Sequence, residues 1–314
     1  MALTQEERIS GGLWGLLIGD ALGVPYEFHS PHDLPPLSQL EMQPPLYFER
    51  SHEQIPIGTW SDDGAQVLIL LASLQRHNEL NLEDFGKGLV DWYESGYMAV
   101  GSHVFDVGIQ TAEAIRLMMQ GVPAQEAGPK SEYKNGNGSL MRVLPLALWH
   151  RGTDEELVKW AHLQSQVTHG HLRSKVCCAV YCLWARRLLA GSTYAWAEAV
   201  KILHGIYGDA SPEWAEFAWH VRPDQEPTGS GSGYVVDSLN SVRKVMQAST
   251  YEQVVKQAIA LGHDTDTTAC IAGGLAGIRD GVEAIPTRWM QVLRGQELVK
   301  LLLAKLLQTK SDKA

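Results

Sequence analysis

The chain has 314 residues, 45% hydrophobic and 20% charged, with a mean hydropathy of −0.14. These values exclude a disordered, collagen-like or disulfide-framework protein. Lys and Arg total 26 against 36 Asp and Glu, a net charge of −10, which argues against a nucleic-acid backbone or an anionic membrane as the main partner. Phosphates held in a pocket by backbone N–H groups stay compatible with that charge. The N-terminal MALTQEERIS lacks a basic stretch followed by an apolar one, and no apolar run approaches about 18 residues. The four cysteines, Cys177, Cys178, Cys182 and Cys270, show no CxxC spacing and read as buried thiols. The expected location is the cytoplasm.

The elements are helical nearly throughout. Thr4 and Glu7 form a capping box that opens a helix through Ile9, Leu13, Leu16 and Leu17 towards Ala21. Residues 29–58 carry six prolines, at 31, 35, 36, 44, 45 and 56, and cannot be one long helix. After Ser61, the residues Val67, Leu70, Leu71 and Leu74 recur at helical spacing. The stretches 82–94, 104–120, 171–190, 234–248 and 266–279 also read as helices. Further capping boxes are expected at Thr153 with Glu156 and at Thr250 with Gln253. Residues 221–233, VRPDQEPTGSGSG, form a flexible loop. Strand-like alternation is scarce, and no composition shift divides the chain. The expectation is an all-α fold of ten or more helices in a single domain over 1–314.

Acidic residues crowd at two predicted helix starts. Asp62-Asp63 follows Gly58-Thr59-Trp60-Ser61, and Asp264-Thr265-Asp266-Thr267 follows Leu261-Gly262-His263. Helix capping explains one acid at each start. It explains less well why two like charges sit together. A divalent cation would remove that conflict, and hard oxygen ligands suit Mg²⁺, Mn²⁺ or Ca²⁺. The small residues Ala269, Ala272, Gly273, Gly274, Ala276 and Gly277 follow the second cluster, and Gly11, Gly12, Gly15 and Gly19 lie on the first helix. Glycine costs a helix about 1 kcal/mol against alanine, so both helices are expected where another backbone approaches closely. Asn135-Gly136-Asn137-Gly138-Ser139-Leu140-Met141-Arg142 is a turn running into a helix, either a plain loop and cap or a cradle for phosphate. His169 and His171 alone make a poor zinc set.

The ordered set of segments resembles the ADP-ribosylglycohydrolase family, which includes dinitrogenase reductase-activating glycohydrolase and the ADP-ribosyl-acceptor hydrolases. Its parts are GGLWGLLIGDALGVPYEF (11–28), GTWSDDGAQ (58–66), FDVGIQT (105–111), NGNGSLMRVLPLAL (135–148), THGH (168–171), SGYVVDSL (232–239) and LGHDTDTTACIAGGLAGI (261–278). The resemblance implies a compact orthogonal helical bundle with two Mg²⁺ or Mn²⁺ ions at the floor of a cleft. It implies Ser61, Asp62, Asp63, Asp264, Asp266 and Thr267 as ligands, and Glu27 or Asp106 as the catalytic carboxylate. The loop at Gly136, Asn137, Gly138 and Ser139 would cradle a diphosphate. His169 would contact ADP-ribose, and Tyr234 would stack on adenine.

The implied reaction is hydrolysis at the anomeric carbon of ADP-ribose, through an oxocarbenium-like state. The partner would be an ADP-ribosylated protein or small ADP-ribosyl substrate, with an ADP-ribosylated base left open. Two other readings stand beside it: a same-fold hydrolase of another glycosidic nucleotide metabolite, and a non-catalytic ADP-ribose-binding protein. The chain departs from the family pattern at Ser61, where Thr is commoner, at Gly64, and at His263, where Gly is usual. Ser61 keeps the hydroxyl. His263 adds bulk beside the cleft and bears on the acceptor side of the pocket, or caps the helix.

Overall fold

The computed structural model describes residues 2–311; Met1 and 312–314, the ends of the expected 1–314 domain, lie outside them. Fifteen α-helices follow in order. They are α1 (Gln5–Gly23), α2 (Asp62–His77), α3 (Leu82–Ser95), α4 (Ile109–Met119), α5 (Ala124–Ala127), α6 (Leu144–Trp149), α7 (Asp154–Gln166), α8 (Leu172–Leu189), α9 (Ala195–Tyr207), α10 (Pro212–His220), α11 (Val235–Val245), α12 (Tyr251–Ile259), α13 (Thr265–Asp280), α14 (Thr287–Val292) and α15 (Gln296–Ser311). Among the described residues there is no strand, only an isolated antiparallel bridge between Gly136 and Tyr234. The helices share one apolar core that runs from Ile9 to Leu306. Among the described residues no helix is long and apolar enough to cross a membrane.

At the centre, α1 packs along α13 more extensively than any other helix pair. The reason is a ladder of small residues every fourth position on α1. A Cβ on Gly11 would lie 2.1 Å from the Gly277 carbonyl oxygen, one on Gly15 2.5 Å from that of Gly273, and one on Gly19 2.1 Å from that of Ala269. One on Gly23 would lie 2.4 Å from Asp266 Cα. The two backbones therefore touch along their length, and side chains are excluded from the seam. The ladder ends on Asp266, so helix packing itself sets where that acid stands.

The second device is a cap supplied from another helix. Asp20 of α1 accepts from the backbone N–H of Ser61 (2.9 Å) and of Gly64 (2.7 Å). It satisfies donors that the start of α2 leaves without intrahelical partners. One face of α1 thus holds α13, and Asp20 holds the start of α2.

Several expectations shift at element ends. The helix expected over 104–120 begins only at Ile109; Asp106 has φ +53°, a left-handed conformation that a helix cannot contain. The capping box at Thr4 is reciprocal. At Thr153 and Thr250 only the threonine side of the box forms, and Glu156 turns instead to His150 (3.1 Å). The helix after the Asn135–Arg142 turn starts at Leu144 and has six residues, so the turn itself lies before the helix. The four cysteines are buried and free.

The proline-rich stretch 29–58 has one short 3₁₀ turn, Leu37–Gln39, and is pinned by Glu41. That carboxylate accepts from Lys256 Nζ (2.9 Å), Arg288 Nε (3.0 Å) and Trp289 Nε1 (2.6 Å). Burial alone would raise its pKa, but the donors from Arg288, Lys256 and Trp289 hold it down at about 2.

Two outcomes follow. Gly277→Ala, whose Cβ would meet the Gly11 carbonyl oxygen at 2.0 Å, should cost about 3 kcal/mol in urea unfolding. Gly205→Ala, in open space on α9, should gain up to about 1 kcal/mol. Because the folded pKa of Glu41 is depressed, its contribution is present above the ordinary value of about 4.5 and is lost as pH falls towards about 2. The stability gap between wild type and Glu41→Gln should be full at pH 7 and should narrow in denaturation series taken below pH 4.5.

Candidate active site

The starts of α2 and α13 meet beneath a cleft of about 700 Å³. Glu27, Asp62, Asp106, Asp264 and Thr267 line it on the acid side, and Gly136, Asn137, Gly138 and His169 line the opposite wall. Asp63 and Asp266 lie deeper, fully buried. Carboxylate oxygens of Glu27, Asp264 and Asp266 come within 4.8 Å of one another. Thr267 Oγ1 donates to Asp63 Oδ1 across the two helix starts (3.3 Å).

The capping reading accounts for part of this. Ser61 is the N-cap of α2 and its Oγ accepts from Asp63 N–H. At α13 it fails: Asp264 stands at the N-cap position, but its side chain accepts no capping bond. Its Oδ2 accepts instead from Asn137 Nδ2 (2.7 Å), which ties the acid floor to the glycine loop. Asp62 Oδ2 accepts from Gln66 Nε2 (2.8 Å), and Asp266 Oδ1 from Thr267 N–H (2.8 Å).

Burial pushes the carboxyls of Asp62, Asp63 and Asp266 well above the usual range, and the charges of neighbouring acids add to it. Glu27 is pushed up to about 11 by burial and then by Asp106 and Asp264. Asp106 rises to about 6, from burial and Asp264. Asp63 Oδ2 and Asp266 Oδ2 are buried with no hydrogen-bond partner among the described residues. Carboxylates in that state are costly unless a positive charge meets them. The set of Glu27, Asp264 and Asp266 is all oxygen and fits a hard divalent cation, while Asp63 stands with Asp20 and the Cys270 thiol beneath it.

Not every expected residue faces the cleft. Ser139 is fully buried and its hydroxyl turns inward, accepting from Ser165 Oγ (2.9 Å). Tyr234 is absent from the cleft lining; its ring lies 6.0 Å from the Arg173 guanidinium carbon, beside the loop. The backbone N–H groups of Gly136 and Asn137 already donate to Gln110 Oε1 and Gly233 O. His169 and His171 do not converge on a metal: His171 Nδ1 accepts from Arg173 N–H at the start of α8. His263 is exposed at the cleft mouth with φ +62°, the conformation in which glycine is cheapest.

Residues that sequence reasoning left unassigned complete the site. Asp20 caps α2 from below; its signal was a lone acid inside a glycine-rich helix, which gives no direction. His52 Nε2 lies 2.8 Å from Glu27 Oε2, and its ring packs on Phe28 and Phe105. It comes from the proline-rich stretch, where no periodicity points to it. Phe28, Ile109 and Gln110 also line the cleft.

The molecule is thus an all-α protein with an acid-floored cleft built on paired helix starts. The chain belongs to the ADP-ribosylglycohydrolase family, whose model matches residues 1–313. It is 28% identical over 307 residues to ADP-ribosylarginine hydrolase Tri1 of Pseudomonas putida, covering 95% of this chain and 78% of that protein. It is 28% identical over 299 residues to ADP-ribosyl-[dinitrogen reductase] glycohydrolase of Rhodospirillum rubrum, covering 92% and 90%. With human ADP-ribosylhydrolase ARH3 the identity is 25% over 337 residues, covering 94% and 91%. A solved structure titled ADP-ribosylglycohydrolase-related protein complex superposes with a TM-score of 0.77 at 27% identity, covering 97% of this chain and 98% of that one.

Asp63→Asn removes one charge from the buried cluster. It should stabilise the cation-free protein by about 1–3 kcal/mol at pH 7; Mn²⁺ should raise the melting temperature of wild type and leave that of the variant unchanged. Differential scanning calorimetry with and without Mn²⁺ reads both effects.

Proposed function

We propose that the chain is a divalent-cation-dependent hydrolase that cleaves the bond between the anomeric carbon of ADP-ribose and an acceptor, reversing ADP-ribosylation. The observation that carries it is the pair of buried, unpartnered oxygens, Asp63 Oδ2 and Asp266 Oδ2, beneath a cleft whose other wall is a glycine turn. Ser61, Asp62, Asp63, Asp264, Asp266 and Thr267 would hold two cations, Mg²⁺ or Mn²⁺. When bound, such ions orient ribose hydroxyls and make a coordinated water more acidic.

The residues divide the remaining work. Asp106, a cleft acid whose pKa burial and Asp264 raise to about 6, takes the proton from the attacking water. Glu27, hydrogen-bonded to His52, is kept protonated by burial and its acidic neighbours; with cations bound beside it, it would ionise and oppose positive charge as the oxocarbenium-like state forms. Gly136, Asn137 and Gly138, with the backbone of Ser139, would hold the diphosphate together with His169. His263, Phe28 and Ile109 stand at the mouth, where the acceptor leaves. An acidic cleft suits a cationic acceptor, and two relatives are named ADP-ribosylarginine hydrolase, so an arginine-linked substrate is our first choice. We assign the activity to one domain over 1–314 and to the cytoplasm, in keeping with four free buried thiols.

A release assay tests this. Arginine-linked and serine-linked ADP-ribosyl peptides and O-acetyl-ADP-ribose are each offered with Mg²⁺, Mn²⁺ or EDTA. Free ADP-ribose should appear from the arginine-linked peptide with either cation and not with EDTA. Asp266→Ala should lose both cation binding and turnover. Asp106→Asn should keep cation binding and lose about 10²–10⁴ in kcat. Tight ADP-ribose binding with no release from any substrate would favour the binding-only reading.

A further inference from the structure

We propose that Arg142 is a positioning residue that acts on both walls of the cleft: through Thr168 it holds the His169 ring in the Nε2–H tautomer, and through Gln66 it aims Asp62. It belongs to the motif Asn135–Arg142, yet it is wholly buried and touches neither the cleft nor any acid directly. The inference rests on the function proposed above only for the identity of the ligand.

The argument runs on donors and acceptors. A guanidinium only donates. Arg142 Nη2 lies 2.7 Å from Thr168 Oγ1, so the threonine oxygen accepts there. The hydroxyl has one proton of its own, and its other polar neighbour is His169 Nδ1 at 2.8 Å. Were Nδ1 to donate as well, the buried hydroxyl proton would be left without an acceptor, so the proton points at Nδ1, the unprotonated ring nitrogen. A neutral imidazole then carries its proton on Nε2. That edge faces the glycine turn: a Cβ on Gly136 or Gly138 would lie 3.4 Å from His169 Nε2. Burial, with the Arg142 charge adding to it, pushes the His169 pKa down to about 3, so the ring stays neutral. The main chain that carries the ring is held as well: His169 N–H donates to Ser165 O (2.7 Å) and His169 O accepts from Ser165 Oγ (2.9 Å).

The same logic orients Gln66. Arg142 Nη1 donates to Gln66 Oε1 (2.7 Å), which turns the amide so that Nε2 donates to Asp62 Oδ2. One oxygen of Asp62 is thereby committed, and the other is left for the cleft. A third arm reaches the turn: Arg142 Nε donates to Gln164 Oε1 (3.2 Å), and Gln164 Nε2 donates to Ser139 O (3.1 Å). Burial lowers the Arg142 pKa only to about 10, so the hub stays charged at neutral pH.

The first measurement needs no variant. In protein labelled with ¹⁵N-histidine, the His169 ring, assigned by its loss in His169→Asn, should show a directly bonded proton on Nε2 alone from pH 5 to pH 8. A proton on Nδ1, or an imidazolium, would overturn the proposal. Thr168→Val keeps the shape and removes the hydroxyl; it should mix the tautomers and weaken ADP-ribose binding about ten-fold, with Mn²⁺ affinity unchanged. Thr168→Ser should restore both. Wild-type tautomer and affinity in Thr168→Val would overturn the His169 arm. Gln66→Met should weaken Mn²⁺ binding at least ten-fold and leave the His169 spectrum alone; unchanged Mn²⁺ affinity would overturn the Asp62 arm. If wild type shows the Nε2–H ring yet binds no ADP-ribose, the tautomer assignment stands and the proposed ligand falls.

Discussion

Seven carboxylates, Asp20, Glu27, Asp62, Asp63, Asp106, Asp264 and Asp266, stand within or beneath one cleft, and most of the architecture is explained by the need to keep them there. Like charges in a low-dielectric interior repel strongly. Left to relax, the helix starts that carry them would separate. They are held by contacts that carry no charge: the glycine ladder between α1 and α13 and the backbone donors that Asp20 receives from Ser61 and Gly64. A seam of backbone against backbone suits this task. It has no side chains to rotate away, so the acids it carries keep their spacing whether or not a positive charge sits between them.

Helix α1 is therefore more than a core element. The two devices lie on one helix at registers a single residue apart, since Gly19 meets Ala269 while Asp20 caps α2. The spacing of the two acid pairs is fixed by the pitch of one helix. Four residues beyond its end comes Glu27, so the third component of the floor inherits the same frame. Function here depends on residues that touch nothing reactive, and the pattern of glycines on α1 is as informative about the site as the acids themselves.

That distinction also decides what could be read from the sequence. The acid pairs were legible because each sits at a predicted helix start with one more charge than a cap requires. The all-α fold was legible from period and caps. The helix start at Ile109 was not, because the apolar pattern runs on through Val104 and Val107 while the backbone turns left-handed at Asp106. Tyr234 and Ser139 were matched by motif to the cleft, but a motif gives position along the chain and not the direction of a ring or hydroxyl. His52 and Arg142 escaped for a different reason. Each acts across a gap of more than twenty residues, His52 on Glu27 and Arg142 on Thr168 and Gln66. Nothing local marks such a contact.

The wall opposite the acids poses its own problem. A diphosphate is anionic, and the usual solution is an Arg or Lys aimed at it. Among the described residues that line this cleft there is neither. A mobile cation there would fold down onto Asp62 or Asp264 and neutralise the floor in place of a metal ion. Neutral donors would avoid the competition: Gly136 and Asn137 already donate their backbone N–H groups to Gln110 and Gly233, which leaves the turn beyond them and a His169 ring too buried to charge. The cation that the wall does use, Arg142, is sunk behind it and spends its donors on neutral acceptors. Its guanidinium is bonded to neutral acceptors and to no carboxylate. The separation of charge between floor and wall thus follows from where one arginine is buried.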